Sequence, residues 1–153
     1  MKKDKKPFNV KLFYRRTCLI IYDIISVVFA SYMAVLIRYE FHLDTIPDHF
    51  LEPINRFLPV NIVLTLLVFY LFRLYHSLWA FAGENELQNL VVSCVISAAL
   101  NSVGLQFFKT TEQPVPKSYY FLYMFVLISM MFISRFSYRF LRSMKHKQQN
   151  KKN

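Results

Sequence analysis

The sequence predicts an all-α integral membrane protein: a bundle of four transmembrane helices with both termini in the cytoplasm. Three observations lead there. Of 153 residues, 55% are hydrophobic and 18% aromatic, too apolar for an ordinary soluble domain of this size. Four apolar stretches each approach the roughly 20 residues needed to cross a hydrocarbon core about 30 Å thick. The charge sits at the ends: seven of nineteen Lys and Arg residues precede residue 17 and seven more lie from Arg135 onward.

The chain divides into a basic N-terminal segment, 1–16, a membrane domain, 17–136, and a basic C-terminal segment, 137–153. The expected spans are 17–37 with one charge, Asp23; 57–75 with Arg73 near its end; 87–108, uncharged; and 118–136 with Arg135 at its boundary. None alternates as a barrel strand would. Each is apolar around most of its circumference, as expected where lipid surrounds the helix. Ser93, Ser97, Asn101 and Gly104 recur at spacings of four, four and three. Small and hydrogen-bonding residues favour close helix contact, so this stripe is expected to face the bundle.

Orientation follows from where Lys and Arg lie. Both tails are basic and so cytoplasmic. The 38–56 loop sets Glu40, Asp44, Asp48 and Glu52 against two arginines, and the 109–117 loop is short. Both fit the outer side. The first apolar run lacks a small-x-small cleavage site and is expected to stay as an uncleaved anchor. Pro59 is expected in the first turn of the second helix, where its missing N–H would have no partner anyway. Beyond Ser134, the run RFSYRFLRSMKHK is expected to continue as a helix emerging into the headgroup layer.

Several functions are set aside on composition. Only Gly83 and Gly104 are glycine, so neither a GxGxxG turn nor a Walker-type phosphate loop can be written. The basic tails do not obviously interleave basic and stacking residues along one folded face, so nucleic acid is not expected as a partner. Cys18 and Cys94 lie in apolar runs without ligand spacing and are expected to be reduced and buried. His42, Asp44, Asp48 and His49 include zinc-ligand types, but the run HLDTIPDH fixes no tetrahedral geometry, so no metal is expected. Trp79, Phe81, Tyr119, Tyr120 and Tyr123 sit near span ends, as interfacial aromatic anchors do.

Asp23 is the most informative single residue. An ionisable group inside a span costs about 2.5 kcal/mol or more unless it is paired or wetted. Arg73 and Arg135 lie at the same expected depth, so either would serve as its partner and tie the first helix to the bundle. In the inner loop, Gly83 followed by Glu86 three residues later is a degenerate capping box opening the third helix.

With those residues in view, the chain resembles the N-terminal membrane domain of bacterial polysaccharide-biosynthesis nucleotide-sugar epimerases and dehydratases, the membrane-bound CapD-like group. The resemblance covers nearly the whole chain. It rests on a basic start leading to Asp23 (RRTCLIIYDIISVVFASYMAVLIR), then RLYHSLW with Arg73, Tyr75 and Trp79. It continues through GENEL, with Gly83 and Glu86, and the basic exit SRFSYRFLR. Relatives tend to carry Ser where Gly83 stands.

The resemblance implies a cytoplasmic Rossmann-type domain following the bundle, binding NAD(P) and altering a UDP-sugar or lipid-linked sugar in capsule or lipopolysaccharide synthesis. This sequence stops at Asn153. The expectation is therefore a stand-alone or truncated anchor in the bacterial inner membrane, not an enzyme on its own and without catalytic residues or cofactor. Expected partners are a bilayer with anionic headgroups, a separate cytoplasmic sugar-nucleotide enzyme or a polyprenyl-linked glycan, and a second copy of the chain. Two alternatives stand beside it: the membrane domain of a polyprenyl sugar-phosphate transferase, and a small four-helix transporter or lipid flippase.

Overall fold

A computed structural model describes residues 10–75, 84–108 and 115–153. Among these, the chain is all-helical, with four long helices: α1 (Val10–Arg38), α2 (Asp48–Leu71), α3 (Glu84–Phe108) and α4 (Lys117–Lys152). Each is long and apolar enough to cross a membrane. A short 3-10 turn, Leu43–Thr45, lies between α1 and α2. Each long helix packs on two others, in the cyclic order α1, α2, α3, α4.

Neighbours run antiparallel. The late part of α1 meets the early part of α2, where the Tyr32 hydroxyl donates to Asn55 Oδ1 at 2.7 Å. The early part of α1 meets the late part of α4, where Tyr22 donates to the Met130 carbonyl at 3.1 Å. The Phe57 ring near the start of α2 lies 5.4 Å from that of Phe108 at the end of α3.

The surface departs from the usual soluble pattern, and polar residues join a mainly apolar interior. Asp23, Ser26, Ser31, Asn61, Thr65, Ser93, Ser97 and Asn101 are buried, while Phe121, Phe125, Val63, Leu67 and Phe107 are exposed. Such a surface suits a hydrocarbon solvent, in which packing and interhelical hydrogen bonds hold helices together. The stripe on α3 faces inward as expected: Ser93, Ser97 and Asn101 are buried. Gly104 continues it for a steric reason, since a Cβ there would overlap the Phe57 ring.

The second helix begins earlier than the apolar window implies. It starts at Asp48 rather than 57, so Pro53 and Pro59 both lie inside it, which corrects the placement of Pro59 in a first turn. The added turns are amphipathic. Pro53, Ile54 and Phe57 are buried, while Glu52 and Arg56 face out as an exposed i,i+4 pair at 3.6 Å. A count of uninterrupted apolar residues misses such turns, because their outer face is charged. Pro47, extended at the N-cap, and Asp48 in the first turn start the helix, a carboxylate there being favoured by the exposed N–H groups. The connection between α1 and α2 thus shrinks to 39–47. At the other end α4 runs on as helix to Lys152, well past the expected boundary at 136.

Candidate functional site

Both α1 and α2 end in the same left-handed cap, and the second cap builds the site. After α2, Arg73 takes φ 55. Its N–H bonds the Tyr70 carbonyl at 3.0 Å, and the Leu74 N–H reaches back to the Phe69 carbonyl at 3.1 Å. This is the paired 5→2 and 6→1 pattern that satisfies the last carbonyls of a helix, and the usual apolar pair across it, Phe69 and Leu74, is buried. The chain is thereby turned back on the bundle. Tyr75, the next residue, is buried, and its hydroxyl donates to Asp23 Oδ2 at 2.7 Å.

Asp23 itself is fully buried on α1. Arg135, half-buried on α4, lies close enough for its charge to act on the carboxylate, although Oδ1 of Asp23 and both terminal nitrogens of Arg135 lack a hydrogen-bond partner among the described residues. The thiol of Cys94 on α3 is within reach of both charges. One carboxylate therefore gathers the last described residue after α2 and side chains of α3 and α4 around α1.

Of the residues singled out in the sequence, Asp23, Tyr75 and Arg135 converge. Arg73 does not join them: it is exposed and occupies the left-handed position of the α2 cap. Glu86 is half-buried in the first turn of α3. Trp79 and Gly83 lie outside the described residues.

A second polar cluster sits deeper in the bundle and is neutral. Asn61 Nδ2 donates to the Tyr123 hydroxyl at 3.1 Å, and the Thr65 hydroxyl donates to Asn61 Oδ1 at 3.4 Å. Towards the end of the bundle where α4 begins, Tyr119 lies beside Asn101 and Ser31. Tyr119 and Tyr123 are thus core residues, buried at 2% and 0%, which corrects their reading as interfacial anchors. Their position on the α4 face that also buries Leu127 and Met131 is an i,i+4 signal available in the sequence. Cys94 is buried as expected, but Cys18 is exposed; both are free thiols. Among the described residues no three His, Cys, Asp or Glu side chains group closely enough to hold a metal ion.

No family model, no curated protein and no solved structure matches this chain.

Proposed function

We propose that the chain is a four-span membrane anchor domain of surface-polysaccharide biosynthesis, with both termini cytoplasmic, that holds a sugar-nucleotide enzyme at the inner face of the bacterial inner membrane. The observation that carries the reading is the hydrogen bond between Tyr75 and Asp23. These are two of the residues on which the resemblance to the membrane domain of nucleotide-sugar epimerases and dehydratases rests, and they lie 52 positions apart. Their contact gives both residues one structural purpose: fixing the residues that end α2, through Tyr75, against α1.

The apolar surface supports a lipid environment, because exposed Phe121 and Phe125 would be poorly solvated by water. Basic tails at one end support a cytoplasmic assignment for both. The carboxylate lies towards that same end of the bundle, where water is nearest, which lowers the cost of keeping it there.

The test is fractionation. In cells expressing the chain, NAD(P)-dependent UDP-sugar dehydratase or epimerase activity should sediment with membranes, and its deletion should move most of that activity to the soluble fraction. Activity that partitions identically with and without the chain would refute the anchoring role.

A further inference from the structure

The last part of α4, from Phe136 to Lys152, extends past the buried part of the bundle. At about 1.5 Å per residue the 36-residue helix is about 54 Å long, against about 30 Å of hydrocarbon, leaving about 24 Å beyond it. Ser134 is its last buried residue, and every residue from Phe136 onward whose side chain is described is exposed.

This extension is two-faced. Phe136, Phe140 and Met144 recur every four residues, with Leu141 beside them, and all four are exposed at 47% or more. At about 100° per residue they form one stripe, continuing the outward row of Phe121, Phe125 and Phe132. Arg135, Arg139 and His146 lie along one side of this stripe, Arg139 in line with Phe132, Lys145 lies on its other side, and Lys147 falls within it just beyond Met144. From Gln113 to Asn153 the sequence holds no acidic residue.

We infer that α4 from Phe136 to Lys147 does not project into water but lies in the headgroup layer, its Phe136–Met144 stripe in the acyl boundary and its cations on the phosphates of anionic lipids. This rests on the membrane reading above and deepens it. The stripe is too apolar for open water, and cations along both of its sides, on long stems that can lift their charge to the phosphates, are the pattern of an interfacial helix. Charge decides between occupants. A second copy would bring the same cations, and the chain's own first residues carry Lys2, Lys3, Lys5 and Lys6. Anionic lipid supplies both the opposite charge and an apolar layer continuous with the one around α4.

The experiment uses the full chain carrying Cys18→Ser, with an environment-sensitive fluorophore on Met144→Cys or, as control, Phe125→Cys. Both sites are exposed, so neither substitution disturbs the core. The chain is reconstituted in phosphatidylcholine vesicles with or without phosphatidylglycerol, and quenching is read with lipids brominated near the headgroup for position 144 and deep in the acyl chain for position 125. The expected result is at least twofold quenching at position 144 in phosphatidylglycerol vesicles. At least half of it should be lost in pure phosphatidylcholine and when Arg139, Lys145 and Lys147 are changed to Gln. Quenching at 125 but none at 144 would overturn the inference and leave the stripe for a soluble protein. Equal quenching at 144 in all lipids and in the Gln variant would overturn the part played by charge. No quenching at either position would overturn the membrane reading itself.

Discussion

The two buried polar clusters solve the same problem in opposite ways. Around Asn61 the groups are neutral and mutually satisfied: Thr65 donates to Asn61, which donates to Tyr123. Around Asp23 the groups are charged and incompletely matched, with one carboxylate oxygen and two guanidinium nitrogens lacking partners among the described residues. The neutral cluster lies in the middle of the bundle, the charged one towards the end bearing the basic tails. A formal charge is tolerable where side chains and water can reach it, whereas mid-bundle only a closed set of neutral hydrogen bonds avoids a large desolvation cost. The charged cluster should therefore be the more sensitive to substitution and the more dependent on its partners.

The largest effect is expected on reversing the charge of Asp23. Asp23→Arg sets two cations in one buried site and should destabilise the bundle by about 3–5 kcal/mol, read as unfolding in mixed detergent micelles. Adding Arg135→Asp should restore a substantial part; no restoration would show that the two charges are uncoupled. Tyr75→Phe removes a hydrogen bond to a charged acceptor and should cost about 1.5–3 kcal/mol in the same assay. In the neutral region, Gly104→Ala should cost about 1–3 kcal/mol by overpacking against Phe57, and Phe57→Leu should relieve part of it. Asn61→Leu should cost less, about 0.6–2 kcal/mol, as interhelical hydrogen bonds in membranes typically do.

The smallest effect separates the two arginines. Arg73 holds a left-handed conformation that glycine adopts freely, so Arg73→Gly should be neutral or stabilising by about 1 kcal/mol. If Arg73 were the partner of Asp23, the same change would destabilise.

That pair shows what was legible in the sequence. The number of helices, the inward stripe of α3 and the need of Asp23 for a partner follow from length, residue size and charge, which act locally. Choosing between Arg73 and Arg135 does not, because both fall at one depth in an unfolded tally of spans. The choice depends on a backbone cap that turns Arg73 outward and Tyr75 inward, and an arginine in a position usually held by glycine gives no warning of it. The early start of α2 was hidden for a related reason: His49–Arg56 carries its apolar residues on one face, and a window tuned to lipid sees only the charges. The pairing of Asn61 with Tyr123, which alone reads as an interfacial anchor, is not legible because it spans 62 positions between diagonally opposed helices.

The central claim is a four-span bundle with its termini on one side and the α1–α2 connection on the other. Its most direct test is cysteine accessibility in intact cells, using Leu43→Cys, exposed in that connection, and Met144→Cys near the end of α4. A membrane-impermeant maleimide should label position 43 from outside and leave position 144 unlabelled until the cells are opened. Labelling of position 144 from outside, or protection of position 43 until lysis, would contradict the topology and the anchoring function built on it.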